Sequence, residues 1–281
     1  MEKQSFYSFQ GELIKGTIVK RPSKIIKSPY VADVLVNGEE FLAHSPSLGL
    51  SGLIAPNVEV LLLKKSESCK TQYSIEYVFV TEQPKNLIIN TRVGSNPNLS
   101  NKLVYNMIKS NSLPGFPVLD MENTLVKPEH KLGNSRIDIF VNCTDGKKYY
   151  LEIKTVPIGF YNNHENRKEC MVLQEGQNYN DKVAIFPDGY RKSKNEPMSP
   201  RALKHIDELV AIREKEPNTK IYMVYVVPRM DCKYFSPSKL DTFYNEKLTD
   251  AFKNKNLNII AFSTYMENGN VYFHKSLETI I

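Results

Sequence analysis

Hydrophobic positions along the chain fall into two regimes. Between residues 11 and 82 they come in short β-rich runs: Leu13-Ile14, Thr17-Ile18-Val19, Tyr30 to Val36, Glu40 to Ala43, Val58 to Leu63 and Tyr73 to Val80. Turn residues part them at Asn37-Gly38, Gly49 and Gly52, and Pro56-Asn57. Asn37-Gly38 between Val34-Leu35-Val36 and Phe41-Leu42 is a two-residue hairpin signal. No long helical period intrudes, and about five short strands in roughly 70 residues suit a small barrel of the OB type or a sandwich.

Beyond a polar stretch from Glu82 to Asn86 the period changes. Leu99, Leu103, Met107 and Ile108 predict a helix over 98–110, capped by Asn98 or Ser100. Two apolar runs, 135–141 and 149–154, flank the turn Asn-Cys-Thr-Asp-Gly (142–146) and read as a β-hairpin. A polar interval from about Gly159 to Asp181 shows little period and reads as a surface insertion. Val183 to Phe186 is a short strand. A helix follows from Pro200 to about Lys215, on Leu203, Ile206, Leu209 and Val210. Ile221 to Val227 is an all-apolar buried strand, Leu240 to Lys255 a helix and Leu257 to Phe262 a strand. That order predicts α/β with a mixed sheet. The expected layout is therefore an all-β unit over 1–85 and an α/β unit over 86–281.

Composition narrows the class. Of 281 residues, 41% are hydrophobic and 24% charged, the balance of a soluble globular protein. The longest apolar runs are strand-length, the N-terminus predicts no leader, and Cys69, Cys143, Cys170 and Cys232 have no metal-binding or disulfide spacing. A reducing, intracellular location, cytoplasmic or nuclear, is the expectation. A net charge of +6 permits a polyanionic partner without requiring one.

The hairpin carries the candidate chemistry. Asp138 lies in Ser-Arg-Ile-Asp-Ile-Phe-Val (135–141), and Glu152 and Lys154 in Tyr-Tyr-Leu-Glu-Ile-Lys (149–154). Strand alternation puts Glu152 and Lys154 on one face and Ile153 on the other, and antiparallel pairing can bring Asp138 beside Glu152. Two carboxylates and an ammonium on one face suit a divalent-metal site for phosphodiester hydrolysis. Asp138, Glu152 and the Ile153 carbonyl are the expected ligands of Mg2+, with Mn2+ as a substitute. Lys154 would position water or stabilise charge, and Glu129 is a candidate third acid. The competing reading is a solvated strand face bearing an ion pair. Charges within such apolar strands are costly without partners, which favours a site.

These residues also resemble a known family. Leu132 to Phe140, Tyr150 to Val156 and Ala184-Ile185-Phe186-Pro187-Asp188 are similar to the sugar fermentation stimulation protein A family. Lys204-His205 before Glu208-Leu209, Phe235-Ser236-Pro237, and His44-Ser45-Pro46 with Gly49 follow in the family's order. The resemblance implies an N-terminal OB-like barrel followed by a PD-(D/E)xK nuclease-like domain, DNA binding, and magnesium-dependent cleavage of DNA or RNA. It matches Glu129, Asp138, Glu152 and Lys154 to the family's acids and lysine. The chain departs from the family at His-Ser-Pro-Ser-Leu-Gly (44–49), at Arg201-Ala202-Leu203, and in a longer segment 157–182.

Other positions admit two readings each. Arg136 could touch a phosphate or pair with an acid. Arg201, Lys204 and His205 could face phosphate or form a solvated helix face. Arg191-Lys192-Ser193-Lys194 reads as an exposed basic loop, and Pro187-Asp188-Gly189 as a turn. Lys15, Lys20, Arg21, Lys24 and Lys27 with Tyr30 could track a nucleic-acid strand and stack a base, or protect strand edges. The leading expectation is a metal-dependent DNA or RNA nuclease. A non-catalytic DNA-binding regulatory protein on the same fold, or a scaffold using the barrel, are the alternatives. The oligomeric state is open, a homodimer included.

Overall fold

The computed structural model describes residues 3–47, 50–83, 88–132, 135–189, 191, 193 and 195–281. The expected boundary at 85/86 lies outside them, as do Gly49 of the loop motif and Lys192 and Lys194 of the basic run.

After a short strand β1 (Ser5–Ser8), the chain forms β2 (Leu13–Lys20), β3 (Val31–Val36), β4 (Glu39–His44), β5 (Glu59–Lys64) and β6 (Tyr73–Glu82). They neighbour one another in the order β4-β3-β2-β5-β6, and Ala43 and His44 of β4 close the ring on Tyr73 and Ser74 of β6. The result is a closed, five-stranded OB-like barrel. Its interior is filled by Ile18, Val34, Val60, Leu62, Ile75 and Val78. Val36 pairs with Glu39 across Asn37 and Gly38, both at positive φ (50° and 89°), the backbone that Asn-Gly supplies most readily.

Strand β7 (Ile89–Gly94) pairs with β6 and leads into helix α1 (Pro97–Lys109). Then come β8 (Thr124–Leu132), β9 (Ser135–Cys143), β10 (Lys148–Thr155), β11 (Gly159–Phe160), α2 (Arg167–Cys170) and β12 (Lys182–Phe186). The remainder is α3 (Pro200–Lys215), β13 (Lys220–Val227), β14 (Cys232–Pro237), α4 (Thr242–Asn254), β15 (Leu257–Glu267), β16 (Asn270–Ser276) and β17 (Glu278–Thr279).

A mixed seven-stranded sheet runs β1-β16-β15-β13-β10-β9-β8. Its parallel centre, β10-β13-β15, explains the unbroken apolar run at Ile221–Val227, since strands covered on both faces have no polar side. Helix α1 packs Leu99, Leu103 and Met107 against Leu151, Ile153, Val224 and Val226 on one face. Helices α3 and α4 cover the other with Ala202, Ile206, Leu209, Tyr244 and Leu248 against Met223 and Tyr225.

The first strand, β1, belongs to this large sheet, while β7 belongs to the barrel's sheet, so each unit borrows a strand. Gly94 fixes one junction. Its N–H donates to the Pro228 carbonyl at 2.9 Å, and a Cβ there would sit 2.8 Å from Pro228 Cβ. Any larger residue would push the two units apart.

Segment 157–182 differs from the expected surface insertion. Gly159 and Phe160 pair with β12 in a second sheet, β11-β12-β14-β17, and Ile158, Tyr161 and Cys170 are buried. Its polar side chains replace a regular ladder. Asn162 Nδ2 donates to Val172 O at 2.6 Å, Asn163 Nδ2 to Pro237 O at 2.9 Å, and Gln177 Nε2 to Tyr161 O at 2.6 Å. Structure built from side-chain amides leaves no hydrophobic period to read.

Candidate active site

The β9–β10 hairpin brings its two acids together at the open end of the ladder. The last pair is Leu151–Ile139, so Glu152 and Asp138 are the next residues in register. There the ladder gives way: Asp138 Oδ2 accepts the Ile153 N–H at 2.7 Å, and its Oδ1 accepts Asn101 Nδ2 of α1 at 3.0 Å. Helix α1 is itself tied to the barrel. Its cap Asn96 accepts the Asn98 N–H and donates to Glu76 Oε2 of β6 at 3.0 Å. The chain of contacts thus runs from barrel to cap to Asn101 to Asp138.

Glu152 is almost wholly buried, at 1% exposure. One of its oxygens, Oε1, accepts from Lys154 Nζ at 2.5 Å and from His205 Nδ1 of α3. The other, Oε2, is buried and has no hydrogen-bond partner among the described residues. Buried polar atoms are rarely left this way, and such an atom calls for an explanation.

The two carboxyls are tuned apart. Burial, then the charge of Glu152, pushes the Asp138 carboxyl up to about 6, against the opposing pull of Lys154, the Ile153 amide and Asn101. Burial also pushes Glu152 up, but the hydrogen bond from His205 and the Lys154 ammonium outweigh it and hold that carboxyl low. A neighbouring pair with diverging acidities is the arrangement expected of a working site.

A cleft of about 400 Å3 opens over these groups. Helix N-termini border it at Pro97-Asn98 and at Ser199, and the barrel contributes Ser47 and Leu50. Glu129 also lines it, exposed, at a φ of 50°. Its neighbours Pro128 and His130 pair with Ile139 and Ile137, which sets Glu129 across from Asp138. A left-handed backbone at a non-glycine residue is a strained choice and sits at functional sites more often than elsewhere.

The other expected residues scatter. Arg201 lines the cleft, and its Nε donates to His205 Nε2 at 3.3 Å. Lys204 lies outside it, paired with Glu208 at 3.2 Å, and Arg136 is exposed on β9 away from the cleft lining. On the barrel, Lys15 pairs with Glu59 at 2.8 Å, and Lys20 and Tyr30 are exposed. Arg21 braces loops instead, donating to Pro29 O at 2.9 Å and to Ser47 O at 3.0 Å. It thereby holds the barrel loop that reaches the cleft.

Two site residues escape the sequence reading. Asn101 is one of many asparagines and carries no pattern. His205 reads as part of a polar helix face with Arg201 and Lys204, but the structure buries it at 7% exposure against Glu152. The signal was present: Ala202, His205, Ile206 and Leu209 form one buried helical stripe.

An OB-like barrel joined to a mixed-sheet α/β unit with paired acids and a lysine at the end of its central hairpin defines the class. Residues 98–270 match the family described as sugar fermentation stimulation protein RE domain. The sugar fermentation stimulation protein homolog of Nostoc punctiforme is 30% identical over 247 residues, covering 85% of this chain and 84% of that protein. The homolog of Synechocystis sp. is 29% identical, with coverage of 85% and 84%. The solved structure of Pyrococcus furiosus SfsA in complex with Ca2+ shares the fold at TM-score 0.70, with 20% identity, over 99% of this chain and all of that one. The chain belongs to the sugar fermentation stimulation protein family. Among the described residues no helix is long and apolar enough to cross a membrane, and all four cysteines are free thiols.

Proposed function

We propose that this chain is a divalent-metal-dependent nuclease that hydrolyses phosphodiester bonds of DNA or RNA, with the barrel holding the nucleic acid beside the cleft. The observation that carries the proposal is the unfinished carboxylate pair. Glu152 Oε2 is buried without a partner among the described residues, and Asp138 is pushed up by burial and by the charge of Glu152. A cation held by these residues would answer both. The donor set is oxygen alone (Asp138, Glu152 and the Ile153 carbonyl), which suits Mg2+ or, in its place, Mn2+. The Pyrococcus furiosus relative, solved with Ca2+, supports a hard cation here.

When bound, such an ion activates water near neutral pH and offsets charge building on the phosphoryl group. Lys154 is held against Glu152 and would orient the attacking water or meet that charge. Glu129 is the exposed acid through which a second carboxylate face would reach the cleft. The N-terminal ends of α1 and α3, positive by their helix dipoles, border the rim and would favour a phosphate there. Lys15, Lys20, Arg21, Arg136, Arg201, Lys204 and Tyr30 remain the proposed contacts along the nucleic acid, with Arg21 acting through the Ser47 loop.

One observation favours the alternative, a DNA-binding regulatory protein that does not cut. Among the described residues no three acids, histidines or cysteines gather in metal-binding geometry. The deciding experiment incubates labelled single- and double-stranded DNA and RNA with Mg2+, Mn2+ or EDTA, using wild type and Asp138→Ala. Metal-dependent products lost in the variant, with binding retained, support the nuclease. Salt-sensitive binding with no product under any metal supports the regulator.

A further inference from the structure

We infer that Arg201 and His205 form a positioning relay that presents one chosen oxygen of Glu152 to the cation; the inference rests on the metal-bearing reading of that residue. The relay is read from donor and acceptor roles. Arg201 Nε can only donate, so the ring nitrogen it meets at 3.3 Å, His205 Nε2, must carry a lone pair. The imidazole proton then sits on Nδ1, the nitrogen facing Glu152 Oε1.

Lys154 Nζ lies 3.2 Å from the same Nδ1 and 2.5 Å from Oε1. The ammonium, too, can only donate, but Nδ1 lies closer to the accepting Glu152 Oε1 than to Nζ, so Nδ1 carries the proton and both donors converge on Oε1. Two donors on one oxygen fix the carboxylate's rotation and leave Oε2, buried and without a partner among the described residues, as its unused end. Carboxylate ligands are commonly held this way by outer hydrogen bonds, which set both orientation and metal affinity.

Three structural features make the relay rigid. His205 lies on the buried stripe of α3 between Ala202 and Leu209, which locks its ring. Arg201 and His205 are one helical turn apart, so the helix itself sets their spacing. Glu152 sits on a central strand, at 1% exposure. Arg201 is thereby assigned to holding the site, in addition to any contact with phosphate. His205 is a positioning residue, acting through Glu152.

The test measures Mn2+ binding to the full-length protein by titration calorimetry, with thermal melts alongside. Variants are His205→Ala, His205→Asn, His205→Phe, Arg201→Ala and Glu152→Gln. Loss of the relay weakens Mn2+ binding about 10- to 100-fold in His205→Ala and His205→Phe. His205→Asn, whose amide N–H replaces Nδ1–H, recovers most of it, and Arg201→Ala loses less. Should His205→Ala fail to fold, the Phe and Asn pair decides, because both fill the site and differ in the donor. Nitrogen-15 spectra of labelled histidine give a readout that mere packing would not move: Nδ1 carries the proton in wild type, and Arg201→Ala mixes the tautomers. Equal affinity in wild type, Phe and Asn variants, or a proton on Nε2, overturns the relay while leaving the nuclease reading in place. Unchanged Mn2+ binding in Glu152→Gln overturns the metal reading itself and the relay with it.

Discussion

Lys182 and Glu152 each anchor a buried ionic cluster, and the two are finished differently. In the first, Lys182 (1% exposed) joins Glu82 of the barrel to Asp231, at 2.8 and 2.7 Å. Arg229 forks onto Asp231 at 2.6 and 2.7 Å, and Tyr161 donates to Glu82 at 2.8 Å. Burial pushes Asp231 up, but Arg229 overrides it and holds that carboxyl well below the usual range. In the second cluster, burial and Glu152 leave Asp138 pushed up to about 6, and Glu152 Oε2 has no partner among the described residues.

Completeness separates a strut from a site. The first cluster balances two cations against two anions and satisfies each carboxylate, so it rivets barrel to α/β unit. The second sets two carboxylates against Lys154 and leaves one oxygen without a partner among the described residues, beneath a cleft. Burial of charge is common to both; incompleteness is what points to chemistry.

Breaking the rivet should give the largest effect on stability. Arg229→Ala strands Asp231 beside Lys182 alone and is expected to cost about 3–5 kcal/mol in denaturant melts. A cost under about 1 kcal/mol would remove the structural reading of that cluster.

The site should behave in the opposite sense. A carboxyl raised from 3.8 to about 6 holds its proton more tightly in the folded chain than in the unfolded one. It therefore takes stability away above about pH 6, and that loss fades as pH falls toward about 4. Without metal, Asp138→Asn should be more stable than wild type at pH 8 by about 1–3 kcal/mol, a gain that shrinks on acidification. Added Mg2+ should raise the melting temperature of wild type but not of this variant. A variant less stable than wild type at every pH would contradict the tuning described for Asp138.

Smaller effects belong to the barrel surface. Lys20→Ala should lower the slope of log affinity against log salt by about 1 for whichever nucleic acid binds. An unchanged slope would move the binding surface elsewhere. Lys15→Ala removes one exposed pair with Glu59, and a stability change beyond about 0.5 kcal/mol would be a surprise.

Much of this was legible from local pattern. The barrel strands, the acid hairpin and α3 each bury a face whose period shows in the residues themselves, and the strand at Ile221 shows as an unbroken apolar run. Strand β8 did not show, because it is an edge strand: Lys127, Glu129 and Lys131 face solvent or cleft, and Pro128 is tolerated where one side goes unpaired. Strand β1 was hidden for another reason. Its partner β16 lies at the far end of the chain, with Ser8 bonded to Asn270 across 262 residues. Glu82 looked like the start of a polar linker because its partner Lys182 lies 100 residues on. At the site, Asp138, Glu152 and Lys154 were legible because one hairpin joins them. Asn101 and His205 come from two helices that only the fold brings in.

The most direct measurement is metal-dependent cleavage of labelled DNA and RNA by wild type, Glu152→Gln and Asp231→Asn, each matched for folded protein by its melt. A nuclease centred on Glu152 gives no product from Glu152→Gln and retains cleavage in whatever fraction of Asp231→Asn stays folded. Wild-type product from folded Glu152→Gln would place the chemistry somewhere other than this hairpin.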